Sequence, residues 1–477
     1  MSQAPRAASL DPEDWDALRA QGRRMLDDMF DNLQGVADRP LWRPPTPDQR
    51  ARYREEPPRA PGDLADLHAQ FMADCAPCGS GNRHPGFMGW VQGGGTAVGM
   101  LAEMLAAGLD ANLGGRDHMP IEVERQVIAW MAQLFGFPDN ASGIFLTGTS
   151  TANLCAMLIA RDRALGVQVR ADGVRDPGVA AYASRGVHAC IVRAMDMTGL
   201  GTNRLRLIET DADHRIRVPA LKAAIAADRA NGIKPFLIVG SAGTVDVGAI
   251  DDLDALADVA AAEGATFHVD GALGALGVLA PEIAPRLKGI ERADSVALDF
   301  HKLGQVPYDA GFLLCRDPEA HKRSFSYGEA PYLRHAERGL AGGEWWPCDY
   351  GPDLSRGFRA LKVWFTLRTY GLDAIGAIVA QTCALARDLA GQVGAHPELE
   401  LMAPVGFNIV CFGYRGGDNA AIAADLQEAG RVAPSTTTLA GRTAIRAAII
   451  NHRTGPADID ALVEGVLARG RAQAGRA

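Results

Sequence analysis

The period of the apolar positions changes along this chain, and the change predicts its architecture. Between residues 10 and 38, Leu18, Met25, Leu26, Met29, Phe30 and Leu33 recur at three- and four-residue spacing, which predicts a helix with Asp11 near its start. Residues 96–109 and 121–135 keep that period, and Val123, Val127, Trp130, Met131 and Leu134 form one apolar stripe. From residue 143 short apolar runs take over. Runs at 143–147, 188–192, 236–239, 266–269, 295–298 and 312–315 predict strands, with helices at 152–165, 218–229 and 253–263. Such alternation predicts an α/β fold with a mostly parallel sheet and helices on both faces. Further on, a helix at 357–370 precedes strands at 407–412 and 444–450 and helices at 417–429 and 456–468, a smaller α+β unit.

Stretches without period set the boundaries. Residues 39–62 are rich in proline and arginine and read as a linker. The expected division is an N-terminal helical arm and linker (1–95), a large domain (96–370) and a small C-terminal α+β domain (371–477), with the arm packing on a partner subunit. Residues 166–177 are polar and aperiodic. Residues 320–357 are a long aperiodic stretch containing Tyr332 and Tyr350, which reads as a lid or binding loop. Residues 84–95 (HPGFMGWVQGGG) mix aromatics with glycines, as pocket-lining loops do.

Composition narrows the function. The 477 residues are 47% hydrophobic and 22% charged, enough for a large core. A net charge of −9 and no basic block speak against nucleic-acid binding. The N-terminal residues lack a signal-peptide pattern and no apolar run reaches membrane-spanning length, so no membrane association is expected. Eight scattered cysteines suit a reducing cytoplasm better than a disulfide scaffold. Cys75 and Cys78, flanked by His68 and His84, do not match a common zinc spacing; a buried pair of small residues is expected there, and no metal. No GxGxxG follows a first strand, which disfavours a nicotinamide site.

The candidate chemistry gathers around residues 294–317 (DSVALDFHKLGQVPYDAGFLLCRD). Lys302 falls where one strand ends and a turn leads to the next, a place where a crowded lysine can serve as an imine-forming amine. Upstream, Gly148, Thr149, Ser150 and Thr151 open a helix directly after a strand; free N–H groups, a favourable dipole and hydroxyls suit a phosphate there. The run 268–272 (HVDGA) closes another strand, and Lys302 follows Asp270 by 32 residues.

Taken together, the HVDxA motif at 268–272, the SxxxDxHK motif of Ser295, Asp299, His301 and Lys302, SRGFRALKVW at 355–364 and IRAAIINHRT at 445–454 resemble the pyridoxal-phosphate-dependent group II amino-acid decarboxylases of the aromatic, glutamate and diaminobutyrate type. The resemblance runs from about residue 64 to 468. It implies the aspartate-aminotransferase-like fold (fold type I), pyridoxal 5'-phosphate as cofactor, and a homodimer with its active site near the subunit interface. The implied reaction is decarboxylation of an L-amino acid to the amine through a Lys302 Schiff base and a quinonoid intermediate. By the same resemblance Asp270 faces the pyridine nitrogen, so that the ring accepts the electrons left by departing carbon dioxide. His188 and Ala272 flank the ring, and Gly148, Thr149 and Ser150 hold the phosphate. Asp299 is a further polar residue on the phosphate side, Thr244 and His301 lie near the cofactor, and Arg446 sits at the substrate end with either a carboxylate or a scaffold role.

Two segments depart from the family pattern. The mobile loop of the family carries a tyrosine that protonates the carbanion. Residues 340–356 match that loop only with shifts; Tyr350 is the nearest tyrosine and Tyr332 the second option. Without such a tyrosine, the outcome becomes aldehyde-forming oxidative decarboxylation or deamination, or carbon–carbon lyase chemistry. The substrate wall carries Phe87, Trp90, Val91 and Gln92 where aromatic decarboxylases have bulky aromatics and proline, and Asn112, Arg116, Asp117 and His118 add polarity near the mouth. The substrate is thus either an aromatic or an acidic or polar amino acid.

Overall fold

A computed structural model describes residues 9–326 and 334–475. The first helix, Trp15–Gln34, begins at Asp14, whose side chain accepts from the N–H groups of Asp16 and Ala17. The linker is not wholly extended: Thr46 and Gln49 form a capping box that starts the short helix Pro47–Arg52. Cys75 is exposed and Cys78 half-buried, which corrects the expected buried pair; the Tyr53 hydroxyl lies 3.1 Å from Cys75 Sγ.

Short strand β1 (Phe87–Met88) precedes the main sheet. That sheet contains β2 (Ser142–Leu146), β3 (Val179–Ser184), β4 (Leu205–Ile208), β5 (Lys234–Ser241), β6 (Thr266–Asp270), β7 (Ser295–Asp299) and β8 (Gly311–Cys315). Their order is β2-β8-β7-β6-β5-β3-β4. All neighbours are parallel except that β8 runs antiparallel to both β7 and β2. Strand residues alternate between two cores. Phe145, Tyr182, Ile238, Val269, Leu298 and Phe312 pack with helices Met119–Leu134, Val218–Ala230 and Leu253–Glu263. Ile144, Leu146, Ala297 and Leu313 face helix Thr149–Leu165 on the other side. This is the mostly parallel sheet, covered by helices on both faces, that the residue pattern predicts; its seven strands include β3 and β4, which the pattern does not mark.

One predicted strand is wrong. Residues 188–192 are not extended: His188 is the N-cap of helix Ala189–Met197, whose buried Cys190, Ile191, Ala194 and Met195 share one helical face. The strand is the preceding β3, six consecutive buried residues rich in alanine. A strand buried on both faces shows no alternation, and alanine carries little strand propensity. The described parts of the stretch 320–357 also hold helical structure that the sequence does not announce. The stretch starts within helix Pro318–Phe325, and a turn of 3-10 helix at Pro347–Tyr350 packs onto it.

The second sheet has the order β1-β11-β12-β10-β9, with β9 (Leu399–Leu401), β10 (Ile409–Tyr414), β11 (Ala433–Leu439) and β12 (Arg442–Ala448). Its edge strand β1 pairs in parallel with β11, so the segment before the large sheet is stitched into the C-terminal one. Helix Leu372–Ala395, unforeseen in its alanine- and glycine-rich sequence, packs on this sheet with Pro456–Ala474. Arg356, inside the SRGFRALKVW motif, is fully buried and pairs bidentately with buried Glu124. It also donates to the carbonyls of Leu113 and Phe145, tying three segments together.

Candidate active site

The carboxyl ends of the parallel strands face a common crevice, the usual position of a ligand in open α/β sheets. Asp270 is the last residue of β6 and Asp299 the last of β7; Gly148 and Thr149 open the helix that follows β2. These ends, the 84–95 loop and the C-terminal sheet enclose a cleft of about 480 Å³. Its wall includes Gly148, Thr149, Ser150, His188, Thr244, Asp270, Ala272, Asp299, His301 and Lys302, with Trp90 and Arg446 opposite.

Lys302 Nζ lies 2.8 Å from Asp299 Oδ2, while Asp299 Oδ1 accepts the Thr149 N–H at 2.7 Å. Burial pushes the Asp299 carboxyl up, but the Lys302 charge and these hydrogen bonds outweigh it and hold the group below the ordinary carboxylate range. His301 Nδ1 accepts the Ala310 N–H at 3.0 Å, and its ring lies 4.3 Å from that of Tyr308. Burial lowers the pKa of His301, which favours the neutral imidazole. The glycine-rich loop is pressed beneath the lysine: Gly93 donates to the His301 carbonyl at 3.1 Å, and a Cβ there would sit 2.5 Å from the Lys302 carbonyl oxygen.

Asp270 is held by a buried polar chain that sequence reasoning missed. Asn153 Nδ2 donates to Asp270 Oδ2 at 3.1 Å, and Asn153 Oδ1 lies 2.8 Å from His268 Nε2. His268 Nδ1 in turn meets Ser295 Oγ at 2.8 Å. The Ala272 N–H donates to the other Asp270 oxygen at 3.2 Å. Burial pushes Asp270 up, against the pull of that N–H and the nearby Lys302 and His188. Burial also drives the pKa of His268 down to about 4. The available signal was Asn153 itself, a polar residue four positions after Thr149 and hence on the same helix face.

Several predicted site residues lie elsewhere. Tyr350 is buried among Ile144, Phe325 and Trp345, with its ring 5.1 Å from that of His321, and does not line the cleft. Tyr332 lies outside the described residues. Phe87 is core, 2% exposed and behind Trp90. Gln92 is half-buried off the cleft. Asn112 holds its own turn by accepting from the N–H groups of Gly114 and Arg356. Arg116 stacks over Trp346. Arg446 reaches the cleft, but its guanidinium donates to the carbonyls of Val245, Asp246 and Trp90 and to the Ser435 hydroxyl. The geometry gives it a scaffold role.

The family model described as the pyridoxal-dependent decarboxylase conserved domain matches residues 47–415. The chain belongs to this family. It is 34% identical over 389 residues to an aromatic-L-amino-acid decarboxylase of Bacillus atrophaeus, covering 78% of each chain. It is 32% identical over 388 residues to an L-2,4-diaminobutyrate decarboxylase of Rhizobium meliloti, covering 77% of this chain and 74% of the relative. Among solved structures, Oryza sativa TDC with PLP and tryptamine superposes with a TM-score of 0.89 at 24% identity, covering 98% of this chain and 100% of that one. This pyridoxal-phosphate-dependent amino-acid decarboxylase is a lyase with the fold type I architecture.

The cleft residues fit that cofactor. Gly148 offers helix Thr149–Leu165 no capping side chain, Asp299 Oδ1 takes the Thr149 N–H, and the buried Thr149 Oγ1 has no hydrogen-bond partner among the described residues. An anion's oxygens answer both needs. Lys302 supplies the amine, and Asp270, braced by Asn153, the carboxylate for a protonated ring nitrogen.

Proposed function

We propose that this decarboxylase converts an L-amino acid into its amine and carbon dioxide, with Lys302 carrying the cofactor. The observation behind the reading is the convergence of Lys302, Asp270 and the N-terminus of helix Thr149–Leu165 in one cleft. When bound, pyridoxal phosphate supplies an electron sink for the bonding pair that the departing carboxylate leaves on the α carbon. The residues of the chain do the rest. Asp270 keeps the proton on the ring nitrogen, and its chain through Asn153, His268 and Ser295 fixes the carboxylate plane. His188 and Ala272, both on the cleft wall, would flank the cofactor ring. Asp299, 2.8 Å from Lys302 Nζ, would hold the freed amine beside the cofactor. Trp90 and Val91 frame the approach.

Arg446 is the only arginine among the described residues that line the cleft, and it is committed to carbonyls. That leaves no guanidinium for a second substrate carboxylate and favours a neutral or aromatic substrate over an acidic one. The apolar residues exposed on the arm (Trp15, Leu18, Leu67 and Phe71) and on helix Ala97–Leu109 (Met104, Leu105 and Leu109) support a homodimer with the cleft near its interface. Eight unpaired cysteines support a cytoplasmic location.

A screen of carbon dioxide release over the common L-amino acids, with chromatography of the products, tests the reading. It predicts amine in step with carbon dioxide and little turnover of glutamate or aspartate. Aldehyde, peroxide and ammonia as products would replace it with the oxidative reading. Light scattering checks assembly, with a mass twice the 50.5 kDa chain expected.

A further inference from the structure

Beyond the catalytic cleft, a second cavity of about 270 Å³ opens where the end of the first helix and the linker meet residues 76–84. Its charged lining is one-signed. Arg39, Arg43 and Arg83 reach it, and no aspartate or glutamate does. Arg83 is half-buried and, among the described residues, meets no carboxylate within ion-pairing distance. Burial and the neighbouring Arg39 both lower its pKa, the mark of a cation without a counter-charge. A second, independent observation points the same way. Asn32, 4% exposed, lines this cavity, and its buried amide nitrogen Nδ2 donates to nothing among the described residues. An orphaned buried donor and a half-buried cation without a counter-charge are both costly. Both costs are relieved by one acceptor-rich anion.

We propose that this cavity is a binding site for a small phosphate-type oxyanion, held by Arg83 and Asn32 Nδ2 at its base and by Arg43 at its rim, with Arg39, whose guanidinium donates to the carbonyls of Asn32 and Gly35, adding its charge. The guanidiniums supply charge-assisted donors, and the lining holds no carboxylate to repel the ligand. The site is separate from the cofactor cradle at Gly148–Ser150, which shares no residue with it. Its base is joined to the catalytic wall: Asn82, next to Arg83, donates to the Gly93 carbonyl at 2.8 Å, and Asn451 donates to the carbonyls of Asn82 and His84.

Calorimetric titration of inorganic phosphate into the full-length, cofactor-loaded protein at constant ionic strength tests this, because the loaded cofactor already fills the other phosphate cradle. The expected result is saturable binding of one anion per chain, weakened at least tenfold by Arg83→Gln and by Asn32→Leu, and unchanged by Arg415→Gln on a distant exposed surface. Should Arg83→Gln not fold, Arg43→Gln at the exposed rim is expected to weaken binding severalfold. No saturable binding to the wild type, as when a partner subunit's carboxylate fills the cavity, would overturn the proposal. So would binding that Arg83→Gln and Arg43→Gln leave unchanged.

Discussion

Asp270 and Lys302 carry the proposed chemistry, yet neither acts without its neighbours. Asp270→Asn keeps the shape and removes the charge that holds a proton on the ring nitrogen. We expect kcat to fall by about 10²-fold or more, the size typical of losing one preorganised electrostatic contact, with cofactor content unchanged in the absorbance spectrum. Asn153→Leu removes a donor that favours the ionised form of Asp270. The carboxyl then protonates at higher pH, so the acid limb of the kcat–pH profile should move upward; an unmoved limb would mean that Asn153 only fills space. Lys302 and Asp270 were legible because chemistry at strand ends leaves short motifs in the sequence. Asn153 and His268 were harder to read, since a polar residue inside a helix or strand gives no sign of which partner satisfies it. Tyr350 and Asn112 misled for the opposite reason: both are polar-capable residues in aperiodic sequence, and both are spent on packing or on a turn.

At the scale of elements, the cofactor turn depends on two glycines in contact. A Cβ on Gly311 would lie 2.3 Å from the Gly148 Cα, so Gly311→Ala must displace the helix start that cradles the phosphate. Cofactor affinity is expected to drop at least tenfold in equilibrium dialysis, with the far-ultraviolet circular dichroism unchanged. The Arg356–Glu124 pair has a different task. Arg356→Met leaves Glu124 buried without its partner and should destabilise the fold by about 3–5 kcal/mol in denaturant titrations. Arg356 belongs to a motif that marks the family, yet here it ties β2, helix Met119–Leu134 and the 112–114 turn together. Helices with an apolar stripe, such as Met119–Leu134, and strands such as β6 and β7 were legible from period alone. β3 was not, because all six residues are buried and alanine-rich, and the β-branched pair in helix Ala189–Met197 mimicked the missing strand.

The whole molecule carries its own pH signature. Burial lowers His268, His321 and His452 to about 4 each. These side chains are neutral in the fold but protonate near 6.5 once unfolded. Unfolding therefore takes up protons as the pH falls below about 6.5, and stability declines until about 4, by at most about 1.4 kcal/mol per pH unit for each histidine. Asp251, raised to about 6 by burial, holds its proton more tightly in the fold and offsets one of the three over most of that range, from about 6 downward. The guanidinium midpoint of the holoenzyme should thus be lower at pH 5 than at pH 7.5; an equal or higher midpoint would contradict this balance. The layered α/β architecture was legible from the alternation of elements. The stitching of β1 into the C-terminal sheet was not, because Phe87 and Met88 are too short a run to announce a strand, and their partner β11 lies more than three hundred residues away.

The central claim is that Lys302 bears the cofactor opposite Asp270. Borohydride reduction of the holoenzyme, followed by peptide mapping, tests it most directly. The account predicts a single pyridoxyl adduct on Lys302, absent from Lys302→Ala together with the visible absorbance band. An adduct on another lysine of the wild type, or an undiminished band in Lys302→Ala, would contradict it.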